Sequence, residues 1–291
     1  MLTTKDPYTP IRKVQLQSAD GTSSNAFSIQ TMYENEFGEE LWQESGVVRQ
    51  DYLGIPNIKV QKLSLDVINA SDHIWQEEKV FWNGKKFKLF YTADEKFSLD
   101  TLQDDIKLGL DTLQTTSKAD DIKLGLMFEN SYDGTTALSA RLTLTRIICT
   151  NGMMSHRYLP GIKILHNLNN SDKYEDEILK IQSLISTGVP STSLIRKAFS
   201  EMSLSYLDAD MIGQIRRNHI SKLPTNIFGK CLDKFIIDEK DRNHHTVWDF
   251  YNAFTGQLWH EENESESSYK WNSYVTDGFI NFADKNLITR S

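Results

Sequence analysis

Around Pro160 and Gly161 the spacing of apolar residues changes, and that change limits the folds open to the chain. Upstream, apolar residues alternate with a period of two. Downstream, they recur at i, i+3 and i+4, the period of a helix facing a core. Strands that all come first, with helices after, fit an α+β architecture. A doubly wound sheet would alternate the two along the chain. The expectation is therefore antiparallel hairpins or a sheet followed by a mostly helical half. A β-rich region over 26–165 and a helical region over 166–291 would be integrated in one domain, behind a polar, poorly ordered leader over 1–25 that carries Pro7, Pro10 and Gly21.

Within the β-rich region, Phe27 to Val60 reads as short strands and turns, interrupted by Gly38, Gly46, Gly54 and Pro56. Residues 73–92 read as a hairpin turning at Asn83-Gly84, a pair suited to the positive φ of a tight turn. A second hairpin runs through Asp133-Gly134 within 124–152. Between them Asp104-Asp-Ile-Lys-Leu-Gly-Leu110 recurs at 120–126. Two copies are too few for a solenoid, so this is a local duplication lengthening a loop or strand pair. Downstream, helices are expected over 172–185, from a cap at Ser191 or Thr192, from a cap at Asp208 or Asp210, over 246–259 and over 272–287. The helix after Asp208 or Asp210 would turn Met211, Ile212 and Ile215 inward, and Pro224 would end that region. The run 261–266 would be a solvated acidic loop.

Composition narrows the class further. The chain has 291 residues, 39% of them apolar and 11% aromatic, which excludes disorder from low hydrophobicity. No apolar run approaches the roughly 18–20 residues of a membrane helix, and the opening residues lack the apolar stretch of a signal peptide. Two cysteines, Cys149 and Cys231, make no disulfide framework, so the expected location is a reducing cytoplasm. The net charge of −8 argues against a histone-like protein but leaves room for a local basic groove.

Catalytic signatures are missing. The chain has no Gly-x-Gly-x-x-Gly, Walker loop, Gly-x-Ser-x-Gly or paired Cys-x-x-Cys. His244, His245, His260, Glu261 and Glu262 read better as surface polar residues beside a buried helix than as metal ligands, because adjacent side chains on a helix diverge. Cys149 ends an apolar strand with no basic neighbour and reads as a small buried thiol. No catalytic residue, metal or cofactor is expected, and an enzyme is the least favoured class.

Three basic clusters are candidates for nucleic acid. Lys85, Lys86 and Lys88 interleave with Phe87 and Phe90 on the first hairpin, where Trp82, Phe87 or Tyr91 would stack bases. Arg141 and Arg146 lie on the second hairpin, ahead of His156 and Arg157. Arg216, Arg217, His219 and Lys222 form the third. The competing reading is a solvated hairpin face whose lysines deter edge pairing.

Three segments carry a resemblance. They are Asn130-Ser-Tyr-Asp-Gly-Thr-Thr-Ala137, Arg146-Ile-Ile-Cys-Thr-Asn-Gly152 and Thr246-Val-Trp-Asp-Phe-Tyr-Asn-Ala-Phe-Thr255 with His260 after it. In order and content they resemble the phage/plasmid-like proteins grouped as domain of unknown function 932. The matched positions are Ser131, Asp133, Gly134, Arg146, Cys149, Asn151, Trp248, Tyr251, Asn252, Thr255 and His260. The resemblance covers roughly residues 70–285 and implies a mobile-element accessory protein, with a distant similarity to single-strand annealing recombinases. A buried Asn252 would need its amide satisfied by neighbouring backbone or by a ligand.

Two functions follow as expectations. The first is a phage DNA-metabolism protein that binds single-stranded DNA and anneals strands without ATP as a homo-oligomer. The second is an interaction factor that inhibits or redirects a host defence or replication protein, its acidic surface meeting a basic site. Neither involves a membrane.

Overall fold

The computed structural model describes residues 6–98, 121–146, 151–153, 159, 161–164, 176, 179–183, 185, 193–238, 245–261 and 266–288. Antiparallel sheets are followed by a mostly helical half, an α+β fold. The chain divides into two compact units. One joins residues 1–94, 126–141 and 161–186, and the other joins 95–125, 142–160 and 187–291, so the division falls inside three strands.

In the first unit a three-stranded antiparallel sheet is built from β1 (Ile11–Gln17), β2 (Ser23–Glu34) and β3 (Glu40–Arg49) in that order. β1 lies in the stretch expected to be a leader. The turn at 18–22 explains it: Gly21 takes φ 81° and the Asp20 carboxylate collects the backbone and hydroxyl of Thr22, folding β1 back onto β2. Ile29, Val48 and Tyr132 form the buried centre of this region. Gly46 is required there, since a Cβ would stand 2.5 Å from the Tyr132 carbonyl oxygen.

Helix α1 (Asn57–Asn69) follows, where the sequence reading has only strands and turns as far as Val60. It buries Val60, Leu63, Val67 and Ile68 on one face. It begins after Pro56 with no side-chain cap and no acid in its first turn, so the usual start signals are missing.

Strands β4 (Trp75–Trp82), β5 (Lys86–Ser98), β6 (Asp121–Ser131), β7 (Leu138–Arg146) and β8 (Asn151–Met153) form the larger sheet in that order, and β9 (Gly161–Ile164) also pairs with β7. The expected hairpin at 73–92 is present, with its turn one residue later than the Asn83-Gly84 reading. Trp82 pairs with Phe87, and the Asn83 N–H donates to the Lys86 carbonyl. The loop is thus Gly84-Lys85, with Gly84 at φ 86°. Asn83 instead caps it, its side-chain oxygen accepting from the N–H groups of Lys85 and Lys86 at 3.1 and 2.8 Å. The second hairpin turns through Asp133-Gly134, with Gly134 at φ 72°. The second copy of the duplication enters β6, while the first lies outside the described residues.

The helical part of the second unit contains α2 (Ser193–Leu204), α3 (Ala209–Gln214), a π-turn at Ile215–His219, α4 (Thr225–Asp238), α5 (Val247–Gly256), a π-turn at Gln257–Glu261, and α6 (Glu266–Asn286). Asp208 caps α3 through the Met211 N–H. Thr246 and Asp249 close a reciprocal capping box on α5, at 3.1 and 2.9 Å. Helix α5 is buried nearly all round. Phe250 meets Phe235 of α4 at 5.1 Å, Tyr251 meets Phe279 of α6 at 5.2 Å, and Trp248 meets Phe199 of α2 at 4.8 Å. Such ring pairs contribute about 0.5–1.5 kcal/mol each beyond area burial. Of the helix expected over 172–185, residues 179–183 are helical and Ile181 and Ile185 are buried.

Candidate functional site

The three basic clusters meet different fates. On the first hairpin only Lys85 projects from the turn. Lys86 is 8% exposed and Lys88 5%, and the Lys88 ammonium lies 2.9 Å from Glu129 on β6. Phe87 is fully buried, edge-on to Tyr8 at 5.7 Å. Tyr91 is buried with its hydroxyl 2.8 Å from that of Ser64 on α1, and Trp82 is half-buried, edge-on to Tyr132. β5 is covered on both faces, so Phe87 and Tyr91 present no open ring to a base.

In the second cluster Arg141 is buried on β7, and its side chain lies against Gly161 of β9. Arg146 is the last residue of β7, paired with Asn151 of β8. Its side chain lies outside the described residues, as do His156, Arg157 and Cys149.

The third cluster divides by role. Arg216 is a brace: its guanidinium donates to the carbonyl oxygens of Ile220 and Leu223, both at 2.9 Å, and stacks 4.8 Å over Phe228. This holds the corner after the π-turn, and Arg217 and Lys222 are exposed on it. The corner runs along α6. His219 stands edge-on to Phe282 at 5.5 Å, its carbonyl oxygen would lie 2.7 Å from a Cβ at Gly278, and the Lys222 N–H donates to the Tyr274 hydroxyl at 3.0 Å. One turn further along α6, Trp271 lies 5.9 Å from Tyr274, with the Lys270 ammonium 5.1 Å over its ring. Trp271 and Tyr274 are half-buried and Lys270 is exposed. The result is a surface of cations and partly open rings. The sequence reading missed both rings: Tyr274 sits within the helix expected over 272–287, and Trp271 stands one residue before it. The available signal was their i, i+3 spacing beside Lys270, offset from the buried residues Tyr269, Val275 and Phe279. Burial, with Lys285 adding to it, lowers the His219 pKa.

The family-like motifs lie elsewhere. Ser131 closes the second hairpin loop, its hydroxyl bonding the N–H and carbonyl of Thr136, while Asp133 accepts from the N–H and hydroxyl of Thr135. The Tyr52 hydroxyl donates to the Ser131 carbonyl, and burial, with Asp133 adding to it, pushes that hydroxyl up to about 12. Asp133, Gly134 and Tyr52 share a cavity of about 600 Å³ with residues 24–26, 47–49 and Asp51.

On α5, Trp248, Tyr251 and Thr255 are buried. The Tyr251 hydroxyl reaches Thr276 of α6 at 3.1 Å, and the Thr255 hydroxyl donates back to the Asn252 carbonyl at 3.2 Å. Asn252 is 7% exposed, and among the described residues neither polar atom of its amide has a partner. Neighbouring backbone therefore does not satisfy this amide. Phe250, Tyr251 and Trp248 turn toward α4, α6 and α2, and Asn252 follows Trp248 by one turn, on the same side of α5. β8 also lies against α5, bringing Asn151 and Gly152 of the second motif to the helix of the third. His260 ends the π-turn that continues α5; its side chain lies outside the described residues. Of the imagined metal cluster His245 is described, edge-on to Phe235 at 5.3 Å. Among the described residues no group of His, Cys, Asp and Glu converges on a metal position, and no helix is long and apolar enough to cross a membrane.

Capped α5, its π-turn, β8 and the Asp133-Gly134 hairpin define an α+β protein whose motifs sit at structural junctions. The family is that of the model described as Domain of unknown function (DUF932), which matches residues 44–276, and the chain belongs to it. No curated protein and no solved structure matches the chain.

Proposed function

We propose that this chain is a DNA-metabolism accessory protein of a phage or other mobile element that binds single-stranded DNA, acting in annealing without ATP as a homo-oligomer. The supporting observation is the surface formed by Arg217 and Lys222 on the corner, with Lys270, Trp271 and Tyr274 on α6. Cations for phosphates beside partly open rings for bases are the two parts that sequence-tolerant strand binding needs. Arg216 contributes by holding the corner rather than by touching phosphate.

The test is fluorescence anisotropy of a labelled single-stranded oligonucleotide at two salt concentrations. Binding should weaken steeply with salt, and Arg217→Gln, Lys222→Gln and Lys270→Gln together should flatten the log–log salt slope by about 2, at roughly 0.7 per phosphate contact on a single strand. Absence of binding at low salt overturns the reading.

A further inference from the structure

We propose that the free edge of β3, with the cavity at its end, is a docking site for an extended peptide carrying a basic side chain. Among the described residues β3 pairs with β2 alone, so its other edge carries unpaired backbone groups. Natural edge strands are shielded by charge, bulges or cover. This one carries charge at Glu40 and Glu44 and a register shift at Ile29/Gln30, but its end beyond that shift presents Val47, 48% exposed, and runs directly into the 600 Å³ cavity. An incoming strand would pair along Val47 and Val48, the Arg49 carbonyl being held by the Tyr52 N–H at 3.2 Å, and seat one side chain in the cavity, the mode in which backbone bonds supply affinity and a pocket supplies selectivity.

The chemistry of the cavity selects the occupant. Its apolar wall is Val47, Val48 and the ring of Tyr52, whose hydroxyl is already given to Ser131. Its two acids are Asp51 and Asp133. One Asp133 oxygen, Oδ1, accepts from both the N–H and the hydroxyl of Thr135. Lys13 stands near Asp51, but its ammonium is held by the carbonyls of Gln50 and Tyr52 at 2.6 and 2.8 Å. Arg49, exposed at the strand end, has donors for the carbonyl oxygens of an added chain. A phosphodiester strand would set successive negative charges against both aspartates. A peptide with an aliphatic residue for the valine wall and a lysine or arginine for Asp133 meets each group with its complement. The net charge of −8 favours the same partner.

The experiment titrates the full chain with an acetylated, amidated heptapeptide of alternating valine and lysine. It is followed by calorimetry and by amide shifts of Val47 and Gly134. Binding should weaken about tenfold in Asp133→Asn, which keeps the acceptor for Thr135. It should vanish for a peptide with glutamate in place of lysine, and for one N-methylated at alternate amides. Equal binding of the N-methylated peptide overturns edge pairing, and equal binding of the glutamate peptide overturns the acidic pocket. Displacement by a deoxynucleoside monophosphate, or no binding at millimolar peptide, overturns the proposal outright. The oligonucleotide titration is read separately, so either reading can fail while the other stands.

Discussion

The segment from Trp82 to Tyr91 and the surface formed by Arg217, Lys222, Lys270, Trp271 and Tyr274 are built from the same kinds of residue, cations interleaved with rings, yet they end in opposite environments. On β5 the period of two sends alternate residues to opposite faces. The chain covers both faces, so lysines and rings alike are buried. On α6 the period of 3.6 gives the core one stripe and leaves another beside the corner at 219–222 partly open. A basic, aromatic composition therefore says little about binding until it is known how many faces of the element are covered.

The sharpest way to break this contrast is to truncate Lys88 and Lys85 in parallel. Lys88→Ala removes the ammonium that stands 2.9 Å from the Glu129 carboxylate, which also accepts from Ser139 at 3.3 Å, and opens a buried gap beside it. The expected cost is about 3 kcal/mol in urea unfolding, because the largely buried carboxylate loses its ion-pair partner. Lys85→Ala, at the exposed turn, should fall within about 0.5 kcal/mol of the parent. Equal effects would mean that the hairpin is not covered as described.

On the helical side Trp271→Ala should cost about 1–3 kcal/mol of oligonucleotide binding, the range of a lost base stack. Phe87→Ala should instead lower stability by about 3–5 kcal/mol, as for a buried core ring. Anisotropy together with thermal unfolding of the two variants separates a stacking ring from a core ring. Loss of binding by Phe87→Ala only in proportion to its unfolded fraction leaves the contrast intact, whereas loss by its folded fraction breaks it.

Asn252 sharpens it from within the buried class. Its amide is enclosed without a partner, so Asn252→Leu, of similar volume, should raise stability by about 1–2 kcal/mol, the desolvation penalty of an unsatisfied group being removed. A fall in stability would show that water or a ligand completes the amide. Thermal unfolding with and without oligonucleotide distinguishes the two.

The parts of the fold that were legible in advance carry local signals strong enough to act alone. Gly84 and Gly134 mark hairpins, Asp208 caps α3, and Thr246 with Asp249 opens α5. Helix α1 starts without a cap, and α4 follows Pro224 with Ile236 and Ile237 exposed near its end, which blurs its apolar stripe. The turn at Gly84-Lys85 shifted because Asn83 serves better as a cap than as a turn residue. For the candidate surface, Arg217 and Lys222 were visible as charge, but Trp271 and Tyr274 gain their meaning from Lys222 reaching α6, a contact spanning 52 residues. The burial of Lys86 and Lys88 was equally hidden, since it depends on what covers β5 rather than on β5 itself.

The smallest expected effect concerns His219, which joins the corner to α6. Burial against Phe282, with Lys285 adding repulsion, holds its pKa below the ordinary 6.5 in the folded chain. Unfolded chains then bind more protons than folded ones below about pH 6.5, so this residue's contribution to stability falls as pH drops from there toward the folded pKa and is flat above it. The ring is only partly enclosed, so solvent screening keeps the effect small. His219→Phe keeps the edge-on ring contact and removes the titration. Urea midpoints between pH 5 and 7.5 should fall less steeply on acidification in this variant than in the parent. Oligonucleotide affinity should rise in the parent as His219 gains charge beside Arg217 and Lys222, while the variant should lack that component. Parallel stability profiles with diverging affinity profiles would place His219 on the binding surface rather than in the packing of the corner.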